Sequence, residues 1–235
     1  MKFNLIVPIA ADKPEYRDTM PYLFDLGNDG IMLCVKSITG LDLSCFDNIF
    51  FTVLKKHSEQ FYLKEMFDIQ FRRLGIKEKA FVVELNECTK NQPETIYETI
   101  KRMQIIGSVM IKDADSFLSC SISPENSVCV FPLDSLQRVN PQDKSYVNID
   151  DMYYITNIIE RKIISRDFCA GGYIFEDTSY FLEKYEQLLN MTPLYLSHII
   201  FSMLLDDNIN FRPIQVSEYQ DWGTRIDWMI IKRKE

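Results

Sequence analysis

Apolar residues recur along this chain in two ways, as short dense runs and as longer stretches with helical spacing. Phe3 to Pro8 reads as a first strand, and Ile9 to Asp29 as a long polar loop punctuated by Pro14, Pro21 and Gly27. Gly30 to Ile38 carries Ile31, Leu33, Cys34 and Val35 at helical positions, Ile49 to Leu54 is strand-like, and Lys56 to Leu74 is the longest helical stretch, ended by Gly75. Ala80 to Leu85 predicts a strand, Pro93 to Met103 a helix with proline in its first turn, and Ser108 to Ile111 a further strand. This alternation implies parallel strands joined by right-handed crossovers.

Beyond residue 119 the pattern changes. Ser127 to Phe131, Tyr146 to Asn148, Tyr153 to Ile164 and Gly172 to Phe175 predict strands with few helices between them, so the second half is the more antiparallel. Asp177 to Leu189 and Pro193 to Leu205 predict amphipathic helices, Phe211 to Val216 a strand, and Ile226 to Ile231 a closing element of undetermined type. No internal repeat and no Pro/Gly/Ser-rich linker divides the sequence, which predicts one domain over residues 1–235.

Composition narrows the functional classes. With 46% hydrophobic and 26% charged residues the chain is of ordinary globular type, and no window approaches the run of about 18 apolar residues that spans a membrane. The N-terminus lacks the charge and length of a signal peptide, which predicts a cytoplasmic protein. The formal net charge is −8 and the cations form no stripe, so nucleic acid is not an expected partner. The six cysteines include no Cys-x-x-Cys pair and are expected to be reduced thiols. His57 and His198 have no ligand-type residue at metal spacing and are assigned to capping or packing.

The chemistry concentrates at the end of the Ser108 strand, in Lys112-Asp113-Ala114-Asp115. Two carboxylates at the carboxyl edge of an α/β sheet lie where such sheets bind ligands, and they suit Mg²⁺, which takes one or two carboxylates and fills its remaining positions with water and phosphate oxygens. An Asp preceding an incipient helix serves equally as its N-cap. The motif by itself supports both readings.

A collinear set of blocks resembles the sugar-phosphate nucleotidyltransferases, which join a nucleoside triphosphate to a sugar 1-phosphate and release pyrophosphate. The blocks are Leu5 to Phe24, Asn91-Gln92-Pro93-Glu94-Thr95, Ile111 to Phe117, Ile158 to Ser165, Gly171 to Phe175, and Tyr219-Gln220-Asp221-Trp222-Gly223-Thr224. The resemblance implies a single-domain α/β, Rossmann-like nucleotide-diphospho-sugar transferase fold, with a mixed, mostly parallel sheet flanked by helices. It implies that Asp115 and Asp221 ligate Mg²⁺, that Ala10, Ala11, Gln92 and Thr95 line the nucleotide pocket, and that Glu160, Gly172 and Thr224 meet the sugar phosphate. Lys162, or Arg161, would be the accompanying cation. The expected partners are a nucleoside triphosphate and a sugar 1-phosphate, the expected setting is surface or capsular polysaccharide synthesis, and homo-oligomerisation is compatible with the sequence.

The chain departs from that pattern in its first loop. Where the family has glycines, an Arg and a Pro-Lys-Pro-like segment, this sequence has Ala10-Ala11-Asp12-Lys13-Pro14-Glu15-Tyr16-Arg17 and then Met20-Pro21. Fewer backbone amides can therefore form a phosphate-binding nest, and Lys13 and Arg17 are the candidate catalytic cations in their place. Two alternatives stay open. One is a metal-dependent glycosyltransferase that releases a nucleoside diphosphate; the other is a binding protein that kept the pocket and lost the phosphate loop.

Overall fold

The run Phe3–Ile9 forms β1, the strand beside which the rest of the sheet is laid. A computed structural model describes residues 2–10, 19–136 and 143–233. After β1 come α1 (Leu33–Lys36), β2 (Asn48–Leu54), α2 (Lys55–Gln60), α3 (Leu63–Arg73), β3 (Ala80–Leu85), α4 (Gln92–Met103), β4 (Ser108–Lys112), β5 (Ser116–Ser119) and β6 (Ser127–Pro132). The second half contributes β7 (Ser145–Ile149), β8 (Ile155–Glu160), β9 (Asp167–Phe175), α5 (Thr178–Gln187), α6 (Leu196–Asp206), β10 (Arg212–Gln215), β11 (Glu218–Asp221) and α7 (Arg225–Lys232).

Among the described residues nine strands form one mixed sheet in the order β10-β6-β9-β4-β1-β2-β3, with β7 bridging β8 and β9. The run β4-β1-β2-β3 is parallel. Strand β9 is antiparallel to both β4 and β6, and β7 to β8. Strands β2 and β3 spread to one side of β1 while β4 lies on the other, so the order reverses between β1 and β4. In an open α/β sheet that switch point opens a crevice at the carboxyl ends of the strands.

Both faces of the sheet are covered, which is why β1 is apolar apart from Asn4, whose amide donates to the Ile106 and Ser108 carbonyls at 3.3 Å. Leu5 and Val7 pack with Phe51, Phe67 and Phe71 on the α3 side. Ile6 packs with Ile96, Ile100 and Ile199 on the side of α4 and α6. Burying large side chains at about 1.5–3 kcal/mol each makes these two layers the main source of stability.

Several predicted boundaries move, each for a local reason. The helix expected over Lys56 to Leu74 is two helices, broken at Tyr62, whose φ of 53° is left-handed. The change of direction brings Phe67 and Phe71 to 5.0 and 5.4 Å from the Phe51 ring. The helix expected at Gly30 shrinks to Leu33–Lys36, because Gly30 has φ +72° and Met32 is extended. The strand expected from Tyr153 begins at Ile155: Asp150 Oδ1 accepts the backbone N–H of Met152 and Tyr154 in a reversal where Tyr153 has φ 64°. Its far end is Glu160, because Arg161 has φ 57°. The undetermined closing segment is helical, as α7. His198 caps α6 through Nδ1, which accepts the Tyr195 N–H at 3.3 Å.

Candidate active site

The cleft lies where the switch point predicts, at the carboxyl ends of β1, β3 and β4. A smaller cavity of about 350 Å³ is walled by Ala10 after β1, Cys88 and Thr89 after β3, Gln92 and Thr95 on α4, and Asp113 and Asp115 after β4. A larger cavity of about 1890 Å³ extends over β9, β8, β11 and the start of α6. Asn91, Gln92, Asp113 and Asp115 line both, so the two lobes meet at the aspartates.

The wall of the smaller lobe is set by how α4 begins. Asn91 Oδ1 caps the helix by accepting the Glu94 N–H at 2.9 Å, with Pro93 in the first turn, where its missing N–H costs nothing. The capped start places Gln92 Nε2 2.6 Å from Asp113 Oδ1, to which it donates. The Thr95 hydroxyl is paired with that of Thr89 at 2.6 Å.

Neither aspartate caps a helix, since β5 follows them directly. Strand β5 instead pairs with β11 in a separate antiparallel ribbon, Ser116 opposite Asp221, and the Trp222 N–H donates to the Asp115 carbonyl at 2.8 Å. Asp115 and Asp221 thus stand on one wall of the larger cavity, although more than a hundred positions separate them in sequence. Asp113 stands at the same junction, its N–H donating to the Gly171 carbonyl at 2.8 Å. It is a wall residue of both lobes, where the motif alone left it between a cap or loop role and ligation.

Beneath this turn the Lys112 side chain is fully buried, and its Nζ donates to the Asp113 carbonyl at 2.6 Å, the Ser116 carbonyl at 2.8 Å and Ser116 Oγ at 2.9 Å. Burial pushes Lys112 down to about 8, against the opposing pull of Asp113 and Asp115. Burial, then the charge of Asp113, raises Asp115 above the usual carboxylate range, with Lys144 and Lys112 acting the other way. Lys144 Nζ is 2.5 Å from Asp221 Oδ2 and donates to the Tyr219 hydroxyl at 2.9 Å. Burial works against the charge of Lys144, but Tyr219 and Asp221 outweigh it and hold the ammonium above the ordinary lysine range.

Among the described residues no group of three or more His, Cys, Asp or Glu side chains gathers on one metal position. Two carboxylates nevertheless suffice for Mg²⁺ when phosphate and water complete its shell. The all-oxygen donor set and the crowding that raises Asp115 fit such an ion, with Lys144 already on Asp221.

In the larger lobe Glu160 accepts hydrogen bonds from Ser197 Oγ at 2.7 Å and from Ser145 Oγ. The cation beside it is Arg161, which lines the lobe and lies 5.3 Å from the Tyr195 ring centroid. Lys162 is exposed and not part of the lining, because the left-handed turn at Arg161 carries the chain away from the cleft. Thr224 lines the lobe while capping α7, where its Oγ1 accepts the Asp227 N–H at 3.1 Å.

Gly172 faces the core, not the cleft. A Cβ there would lie 2.7 Å from Cys129 Sγ and 3.1 Å from Met110 Cε, so its open side faces the core. The glycine at the cleft is Gly171, with φ +81°, where a Cβ would be 2.7 Å from Asp113 Oδ2 and 2.8 Å from Ser116 Oγ. Ala11, Lys13 and Arg17 lie outside the described residues. Lys144 carried no motif that could have marked it beforehand, and Tyr219 stood in the block that ends at Thr224 without an assigned role.

The same architecture recurs in solved structures. A nucleoside-diphosphate-sugar pyrophosphorylase from Vibrio cholerae RC9 superposes with a TM-score of 0.76 at 17% identity, covering 99% of this chain and 100% of its own. The chain has the nucleotide-diphospho-sugar transferase fold. The inositol-1-phosphate CTP transferase of T. maritima matches at TM-score 0.73 and 14% identity over 100% of this chain and 97% of its own. The CTP:phosphocholine cytidylyltransferase of Streptococcus pneumoniae matches at 0.66 and 14%, over 99% and 98%. No family model and no curated protein matches the sequence. In this fold the crevice at the β1/β4 switch point is the two-lobed cleft just described. No helix among the described residues is long and apolar enough to cross a membrane.

Proposed function

We propose that the protein is a nucleotidyltransferase that joins a nucleoside triphosphate to a sugar 1-phosphate, or a similar small phosphate ester, and releases pyrophosphate. The observation that carries this reading is the division of one cleft into two lobes that meet at Asp113 and Asp115, with Asp221 brought to the same wall by β11. Two substrates that must meet end to end need such an arrangement. The likeness to solved nucleotidyltransferases supports it.

The smaller lobe, with Ala10, Gln92 and Thr95, takes the base and ribose, since about 300 Å³ or more suits a ligand of that size. The larger lobe takes the sugar, with the Glu160 carboxylate oriented by its two serines toward hydroxyl donors and Arg161 supplying a planar cation for phosphate. A phosphate oxygen of the acceptor attacks the α-phosphorus; the bond from that phosphorus to the bridging oxygen breaks, and pyrophosphate leaves with its electron pair. The chain contributes positioning and charge stabilisation, without a covalent protein intermediate. Asp115 and Asp221 would hold Mg²⁺, which neutralises and orients phosphate oxygens for in-line displacement. Lys13 and Arg17 are assigned to the triphosphate. The product is an activated sugar of the kind consumed in cytoplasmic assembly of surface or capsular polysaccharide.

The test is incubation of the protein with Mg²⁺, each common nucleoside triphosphate and a panel of sugar 1-phosphates. Pyrophosphate formation that requires both substrates supports the proposal. Release of a nucleoside diphosphate from a nucleotide sugar would point to the glycosyltransferase alternative instead.

A further inference from the structure

Lys144 stands just before β7 with its side chain 15% exposed, and its ammonium reaches the wall that carries Asp221 and Asp115. It is 2.5 Å from Asp221 Oδ2 and 2.9 Å from the Tyr219 hydroxyl, and it lies 5.7 and 5.5 Å from the Phe168 and Tyr219 ring centroids. The buried cation beneath the aspartate turn, Lys112, is by contrast spent on the carbonyls and hydroxyl of the Asp113 to Ser116 turn.

We propose that the Lys144 ammonium is a built-in counter-ion of the cleft, holding Asp221 when no metal is present, so that a divalent cation binds between Asp115 and Asp221 only by displacing it. The inference rests on the metal-bridging role assigned to those carboxylates above. Both oxygens of Asp221 are engaged, Oδ1 by the Gly223 N–H at 3.0 Å and Oδ2 by Lys144, so a metal must take a position one of them holds, and repulsion between an ammonium and a divalent cation on the same carboxylate favours release of the lysine. Lysine suits such an exchange. Its charge is a compact point on a flexible four-carbon stem, so it can leave a carboxylate without disturbing the backbone. Once displaced it remains in the larger lobe, where the acceptor phosphate is placed, and metal and acceptor would then bind cooperatively.

The experiment is a titration of the full chain with Mn²⁺ and no substrate, reading free Mn²⁺ by electron paramagnetic resonance. Lys144→Gln should bind Mn²⁺ at least about tenfold more tightly than the wild type, in the range by which neighbouring groups change metal affinity. Lys144→Arg should stay near the wild type, and Asp221→Asn placed on Lys144→Gln should abolish the gain. Equal or weaker binding by Lys144→Gln, equally tight binding by Lys144→Arg, or no binding by any of them would overturn the proposal. Pyrophosphate release by the wild type in that last case would leave the nucleotidyl-transfer reading standing. A second measurement needs no variant: Mn²⁺ should speed acetylation of Lys144 in the wild type several-fold, read by mass spectrometry, and an unchanged rate would count against displacement.

Discussion

The Trp222 N–H donates to the carbonyl of Asp115 at 2.8 Å, and this bond closes the ribbon that sets Asp221 beside the switch-point aspartates. Trp222 is fully buried against Trp228, Leu33 and Tyr22, and the Tyr22 hydroxyl donates to its carbonyl at 3.0 Å. The carboxylate pair therefore depends on this apolar cluster, of which Tyr22 also walls the smaller lobe. Trp222→Ala is expected to cost about 3–5 kcal/mol, measured as a lower urea midpoint. Activity should fall by more than the loss of folded fraction accounts for, because Asp221 loses its anchor.

Asp115 should be costly to the fold. Burial and Asp113 hold its proton to higher pH in the folded chain than in the unfolded one, where aspartate titrates at about 3.9. The folded state then binds more protons in the window above that value, so stability falls as pH rises through it. Asp115→Asn is expected to raise the unfolding free energy at pH 7.5, read from the urea midpoint, by about 1 kcal/mol, as removal of a strained functional group commonly does, and the gain should vanish below about pH 4. The same variant should lower the rate by a factor of about 10² to 10³.

Adjacent glycines should fail differently. Gly172→Ala presses a methyl on Cys129 Sγ and should lower stability, with Cys129→Ala in the same chain returning part of the loss, a coupling of about 1 kcal/mol by double-mutant cycle. Gly171→Ala faces Asp113 and Ser116 at positive φ, and Cys129→Ala should return nothing there.

The Glu160 carboxylate should define the acceptor lobe only while its serines hold it. Ser197→Ala removes a hydrogen bond to a charged group, worth about 1.5–3 kcal/mol, so the KM for the sugar phosphate should rise about tenfold or more with kcat little changed. A drop in kcat at constant KM would place Glu160 elsewhere in the reaction.

The elements that sequence pattern located best are those under a single dominant force. Strand β1 and its neighbours had to be apolar on both faces, α4 announces itself with Asn91 and Pro93, and the two aspartate segments stand at ends of such elements. What stayed hidden depends on register and on single backbone angles. Nothing in Phe61-Tyr62-Leu63 marks a left-handed tyrosine, so α2 and α3 looked like one helix. Pairing of Lys112 with Gly172 decides which of two adjacent glycines faces the cleft, and φ 57° at Arg161 decides which of two adjacent cations does. Lys144 is recognisable only once β7, β9 and β11 bring it to Asp221, since its partners are remote in sequence.

The central claim is nucleotidyl transfer at the junction of the two lobes. Phosphorus NMR of the protein with Mg²⁺, a nucleoside triphosphate and a sugar 1-phosphate tests it most directly, run beside Asp115→Asn and Asp221→Asn. The account predicts loss of the sugar monophosphate signal with equal gain of a diphosphate diester and pyrophosphate, slowed by a factor of about 10² or more in both variants. A mixture in which both substrates persist unchanged with the wild type, or in which the variants convert them as fast as it does, would contradict it.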